Sequence, residues 1–216
     1  RWLGTPGMAA MWRCGSEESL SMCCLIDPDA VPAVGRMCEK FPETPVVIDH
    51  IARIKADSKR RDEQVKELCN LARHKFTTVK ISAFYALSKI YLDLAPVIRR
   101  LLEAFGPERL MWATDCPFQV QDGHTYLDSI ALIRDRLDFL SDSDRQWLLR
   151  KTAERIFFSW QERMRVPEPT MSALSGTAHH PCFRTSHEIP ARPISAAMVY
   201  PKTTTERGKR KRVQAP

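Results

Sequence analysis

Residues 109–118 read RLMWATDCPF, an apolar run that stops on an acid, with a proline two residues beyond it. A run of this length between turn signals suits a buried strand, and a carboxylate at its end needs a partner or a task, because an ionised group taken out of water is costly unless it is paired. Working outward, the same form recurs upstream. Residues 45–50, PVVIDH, close on Asp49 and His50, and residues 77–82, TTVKIS, close on Ser82. Residues 22–26, MCCLI, run into Asp27. Between these runs lie amphipathic stretches at helical spacing, expected at about 27–40, 59–74, 95–105, 126–140 and 142–160, with a further helix before the first strand. Gly106-Pro107 marks one helix end, Ser141 and the residues after it form a cap region, and Asp27 reads as an N-cap ahead of Pro28. Strand, helix, strand, helix with buried-type strands predicts a parallel sheet in an α/β fold of about four βα units.

In such folds ligands and catalytic groups gather at the carboxyl ends of the strands. That rule selects Asp27, Asp49-His50, Lys80, Ser82, Tyr85 and Asp115. Asp27 is explained by capping. Lys80 either reaches the pocket or extends to solvent, and Ser82 and Tyr85 are open between pocket lining and ordinary loop. His50 and Asp115 stay open between function and a satisfied structural polar group, although imidazole is the commonest neutral metal ligand and acid–base group. Among the other histidines, His74 ends a helix, His124 lies in the loop after the last strand and reads more readily as exposed loop than as a residue facing the pocket, and His179, His180 and His187 fall in the last fifty residues.

Charge separates the chain into two parts. Of the net +7, residues 166–216 hold +5, from eight Lys and Arg against three acids, so residues 1–165 are nearly neutral. A nucleic-acid-binding face over the folded part is therefore not expected, and no specific nucleic-acid partner. The stretch 166–216 also holds seven of the fifteen prolines and neither periodicity, which predicts a disordered basic tail. Seven cysteines without a CxxC pair fit reduced thiols and a cytoplasmic setting, and no apolar run is long enough to cross a membrane. The chain begins with Arg1, not Met, so a natural start that lies upstream or was removed is expected.

Four segments, TPVVIDHIAR (44–53), TVKISAFYALS (78–88), FGPERLMWATDCPF (105–118) and LLRKTAERIFF (148–158), come in an order that resembles the later half of an amidohydrolase-related protein. The branch it resembles, within the amidohydrolase superfamily, includes 2-pyrone-4,6-dicarboxylate lactonase-like and aminocarboxymuconate semialdehyde decarboxylase-like enzymes on a (β/α)8 barrel, and the likeness covers roughly residues 1–160. It implies the C-terminal part of a TIM barrel over 1–165 and a small-molecule substrate. It also implies hydrolysis of a lactone, ester or amide of a small carboxylated molecule, or decarboxylation at a similar pocket. His50 is implied to bind a zinc-like divalent metal or polarise the substrate carbonyl. Asp115 is implied to take a proton from the attacking water and, where a metal is present, to ligate it, although some relatives need no metal. Arg53, Tyr85 and Ser82 are the residues expected to bind substrate.

One departure accompanies the resemblance. Family members carry a His-x-His pair after their first barrel strand, and this sequence contains none. The expectation is therefore a truncated enzyme, with a non-catalytic interaction module as the alternative, and self-association through exposed barrel edges is the expected consequence of half a barrel.

Overall fold

The computed structural model describes residues 2–158, within the first of two units into which the chain divides, Arg1–Glu168. The basic tail expected over 166–216 lies outside these residues. Four strands, β1 (Met22–Cys24), β2 (Val46–Ile48), β3 (Thr77–Ile81) and β4 (Leu110–Trp112), form one sheet in the order β1-β2-β3-β4, and every pairing is parallel. All three residues of β2 are buried, as parallel strands with both faces covered require. The fold is α/β, as the alternation of elements predicts.

Register decides which side chains share a face. Cys24, Ile48, Val79 and Leu110 lie in one row across the sheet, and all four belong to the apolar core with Val34, Leu68, Ile98 and Leu101 from the helices. Side chains alternate along a strand, so Asp49 and Lys80, one position further on, belong to the opposite face. The helical layer consists of α1 (Pro6–Glu17), α2 (Val31–Lys40), α3 (Arg61–Asn70), the single turn α4 (Phe84–Leu87) and α5 (Ala95–Phe105), followed by α6 (Tyr126–Ala131) and α7 (Asp142–Gln146).

The helix most plainly written in the sequence is α5. It buries Val97, Ile98, Leu101 and Phe105, one stripe at 3.6-residue spacing, each side chain contributing about 1.5–3 kcal/mol relative to exposure. It stops at Gly106, whose φ of 70° suits a residue without a Cβ. At the other end of the chain, α1 starts at the Thr5 hydroxyl, which accepts from the Met8 amide at 3.3 Å, with Pro6 at the first position. It buries Trp12 completely, and the Trp12 carbonyl accepts from the Thr44 hydroxyl at 2.8 Å, tying the helix to the entry of β2. Gly15 permits that approach, since a Cβ there would stand 3.1 Å from the Leu20 carbonyl oxygen and 3.3 Å from Thr44 Cγ2.

Three expectations are corrected. Asp27 makes no side-chain cap; a 3-10 turn, Pro28–Ala30, intervenes before α2, and the Asp27 carboxylate accepts from Arg53 instead. The helices expected over 126–140 and 142–160 start as written, the second with a full capping box between Ser141 and Asp144, but both widen into π turns at Leu132–Arg136, Trp147–Lys151 and Glu154–Phe158. Residues 49–53, expected as the end of a strand and a loop, form a left-handed turn, described below. Among the described residues no helix is long and apolar enough to cross a membrane, and the six cysteines are free thiols.

Candidate active site

The carboxyl ends of β2, β3 and β4 share a conformational feature. Each is followed by a non-glycine residue in the left-handed region: His50 (φ 55°), Ala83 (φ 57°) and Asp115 (φ 68°). After β2 the conformation persists through Ile51, Ala52 and Arg53, at φ 53°, 50° and 57°. Left-handed backbone costs an L-residue about 1–2 kcal/mol, so four in succession store several kcal/mol unless the surroundings hold them. Two restraints are visible. Ile51 and Ala52 are fully buried, and the Asp49 carboxylate stands 2.5 Å from the Lys80 ammonium, with both side chains largely out of water. From this turn the His50 side chain reaches residues that follow β3 and β4.

There the polar groups meet. His50 Nδ1 lies 2.8 Å from the Ser82 hydroxyl, which is fully buried. His50 Nε2 stands 3.7 Å from Asp115 Oδ1, and the Tyr85 hydroxyl donates to Asp115 Oδ2 at 2.7 Å. The arrangement thus runs Ser82, His50, Asp115, Tyr85, with groups from three consecutive strand ends. Of the sequence-selected residues, the structure brings these four together. Arg53 sits at the rim, its guanidinium 3.3 Å from Asp27, with side chains 46% and 73% exposed. Such a surface pair is worth little, so Arg53 can exchange Asp27 for another carboxylate at small cost.

Electrostatics sets the protonation state of His50. Burial lowers its pKa below the ordinary imidazole value; Asp115 and Asp49 oppose this, and Lys80 and Arg53 add to it. At neutral pH the ring is uncharged, and its single N–H can be either donor to Ser82 or donor toward Asp115. Cysteine chemistry at the neighbouring strand is disfavoured, because burial pushes Cys24 up to about 12 and Cys23 is raised by burial and by Asp49.

The pair Asp49–Lys80 was not legible as a pair in the sequence, where Lys80 reads as a residue of either pocket or solvent. A second set escaped as well. His124, read as exposed loop, is half-buried, stacks on Tyr91 with ring centres 5.7 Å apart, and stands 6.0 Å from the Tyr85 ring. Beside Tyr85 opens a cavity of about 720 Å³ lined by Lys55, Arg61, Lys89 and Leu92 among others.

A divalent metal can be tested against these residues. Nε2 and Oδ1 at 3.7 Å leave room for an ion at about 2.0–2.2 Å from each, but a catalytic zinc takes three protein ligands. Among the described residues no group of three or more His, Cys, Asp or Glu is placed to hold a metal ion. The described residues therefore supply two donors of an incomplete set.

A parallel α/β sheet that gathers an imidazole, a carboxylate and a phenol at the carboxyl ends of its strands has them at the edge where parallel α/β folds, barrels among them, place their ligand and catalytic groups. The family model described as Amidohydrolase matches residues 20–158, and the chain belongs to that family. Among curated proteins it is similar to the L-fucono-1,5-lactonase of Burkholderia ambifaria, 26% identical over 126 residues, which are 57% of this chain and 43% of that protein. Among solved structures it is similar to an amidohydrolase from Burkholderia multivorans with bound zinc, at a TM-score of 0.63 and 21% identity over 72% of this chain and 58% of the other. It is also similar to a putative 2-pyrone-4,6-dicarboxylic acid hydrolase from Pseudomonas putida, at a TM-score of 0.58 and 25% identity over 66% and 53%. The chain thus spans about half the length of the proteins it matches, and its four strands correspond to part of the barrel of these TIM-barrel amidohydrolases.

Proposed function

We propose that this chain carries the acid–base part of a hydrolytic site for the lactone of a small carboxylated molecule. The observation that carries the reading is the placement of Asp115, one oxygen held by Tyr85 and the other facing His50. Asp115 Oδ1 takes a proton from a water as its oxygen attacks the lactone carbonyl carbon. The tetrahedral intermediate collapses with cleavage of the ring C–O bond, and the departing alkoxide recovers the proton from Asp115, leaving the open hydroxy acid. His50, kept neutral by burial, donates its Nε2–H toward the carbonyl oxygen while Ser82 donates to Nδ1 and fixes the ring. Tyr85 keeps Asp115 in place, and Arg53 leaves Asp27 for the substrate carboxylate. A zinc-like ion would find two donors in His50 and Asp115 and would need a further donor from outside the described residues, so no step is routed through it.

The likeness to a lactonase and to a putative 2-pyrone-4,6-dicarboxylic acid hydrolase supports the choice of bond and substrate class. The test is hydrolysis of L-fucono-1,5-lactone and 2-pyrone-4,6-dicarboxylate by the full chain, wild type against Asp115→Asn. Loss of a general base lowers the rate about 10²–10⁴-fold, and that is the expected outcome. Equal rates for the two proteins would remove Asp115 from the chemistry.

A further inference from the structure

The loop between β4 and α6 carries a second histidine whose state the structure fixes more tightly than that of His50. Gln119 is fully buried, and its Nε2 lies 3.2 Å from the Thr125 carbonyl oxygen and 2.8 Å from the Tyr91 hydroxyl. A carbonyl accepts only, so the amide must turn its NH2 toward it, and the same NH2 then donates to Tyr91. The Tyr91 oxygen, an acceptor from Gln119, has one proton to give. Its remaining polar neighbour among the described residues is His124 Nδ1, at 2.7 Å. Burial also raises the phenol above its ordinary range, which keeps that proton in place. His124 Nδ1 is thereby an acceptor, and the ring proton sits on Nε2.

The loop delivers this ring to one place. Asp122 and Gly123, at φ 53° and 83°, turn the chain so that His124 packs on Tyr91 with an interplanar angle of 14° and leans against Tyr85 at 6.0 Å between ring centres. Tyr85 is the residue whose hydroxyl holds Asp115. His124 is therefore one ring removed from the carboxylate that the proposed chemistry uses, on a support of two buried side chains. A carboxylated substrate would meet the negative charge of Asp115, and an N–H held in fixed orientation offers its carboxylate a directed hydrogen bond.

We propose that His124 is a substrate-orienting residue, held by Gln119 and Tyr91 as the Nε2–H tautomer so that it donates to a carboxylate of the substrate on the Tyr85 side of the site. The proposal rests on the hydrolytic reading for the identity of the ligand but not for the tautomer. Two measurements on the full chain test it. Two-bond proton–nitrogen correlation spectra of ¹⁵N-labelled protein should show His124 with its proton on Nε2, and Tyr91→Phe should relax that preference to a mixture. A proton on Nδ1 in the wild type would overturn the proposal while leaving the role of Asp115 untouched. Titration with 2-pyrone-4,6-dicarboxylate should shift the His124 Nε2 resonance. Binding should weaken about tenfold in His124→Phe, which keeps a ring but no donor, and should stay within about threefold of wild type in His124→Gln, which restores an N–H near the same place. Equal affinity for wild type and His124→Phe, or no saturable binding by the wild type, overturns the proposal. Hydrolysis insensitive to Asp115→Asn, with the tautomer and the binding pattern as stated, would instead sink only the mechanism.

Discussion

The two ends of this sheet use the same residue types for opposite purposes. At the amino end, Arg109 donates to the carbonyl oxygens of Phe105, Ala72 and His74 at 3.0, 2.9 and 3.2 Å, and the Thr152 hydroxyl reaches the carbonyl of Glu108 at 3.1 Å. There these polar side chains satisfy backbone groups at the ends of elements. At the carboxyl end, Arg53 holds only an exposed carboxylate, while His50, Ser82, Tyr85 and Asp115 bond to one another through side chains. The backbone differs in step. Left-handed residues follow β2, β3 and β4, and that conformation persists only where its surroundings over-determine it. The contrast teaches that one end of the sheet is built for stability, and the other uses stability supplied elsewhere to hold an arrangement that is locally unfavourable. The larger cavity, about 950 Å³, opens at the amino end beside Val46, Thr78 and Arg109, so size alone does not mark the site.

The strongest way to break the comparison is to remove what holds the left-handed turn. Lys80→Met leaves the Asp49 carboxylate, only 8% exposed, without its 2.5 Å partner. Stranding one member of a buried pair costs about 3 kcal/mol, which for a domain of this size lowers the melting temperature by roughly 6–12 °C. Because Asp49 adjoins His50, hydrolysis should fall along with stability. The double variant Asp49→Asn/Lys80→Met should recover part of the stability, since no charge is then left unpaired. A change below about 0.5 kcal/mol in the single variant, the size of an ordinary surface substitution, would mean that the burial of Ile51 and Ala52 holds the turn without the ion pair.

How far the sequence carries this picture depends on the range of the interaction. The strands were legible because each is a short apolar run, and α5 because its buried stripe ends on Gly106. The capping box of α7 was readable from Ser141 and Asp144. The convergence of His50 and Asp115 followed from the rule that parallel strands present their chemistry at one edge. What stayed hidden depends on register or on tertiary burial. Ile48 pairs with Val79, which sets Asp49 beside Lys80, but no single-strand pattern contains that fact. The segment 50–53, His-Ile-Ala-Arg, holds no Gly or Asn to announce a left-handed turn; packing imposes it. His124 looked like exposed loop because Tyr91, which fixes it, belongs to a different element. Asp27 looked like a cap because Pro28 follows it, and Arg53, far along the chain, takes its carboxylate instead.

A substitution at the amino end sharpens the contrast. Arg109→Met removes three hydrogen bonds to carbonyl oxygens and a guanidinium 5.3 Å from the Phe105 ring centre. The expected loss is about 2 kcal/mol, within the range for hydrogen bonds from charged donors, read as a lower urea midpoint at unchanged slope. Hydrolysis at a temperature where the variant stays folded should match wild type within about twofold, the two ends being separate in function. A tenfold loss of rate in the folded variant would show that the amino end does more than support the sheet.

The smallest effect compares strain at the two ends directly. Ser19, at φ 54°, closes α1 in a Schellman arrangement, with the Ser19 amide on the Ser16 carbonyl at 3.3 Å and the Leu20 amide on the Gly15 carbonyl at 2.8 Å. Its side chain is exposed, so Ser19→Gly relieves the left-handed conformation without loss of packing, offset in part by the greater freedom of glycine in the unfolded chain. A gain of about 0.5 kcal/mol is expected. Ala83, at φ 57°, has the same backbone but is buried. There glycine also forfeits a buried methyl worth about 0.8 kcal/mol, so Ala83→Gly should show no gain. Because Ala83 joins Ser82 to Tyr85, the freed backbone should also loosen the contacts to His50 and Asp115 and lower hydrolysis, whereas Ser19→Gly should leave it unchanged. If both variants gained stability equally and both kept full activity, the left-handed residues at the carboxyl end would be ordinary turns, and the claim that this end holds strain for function would fail.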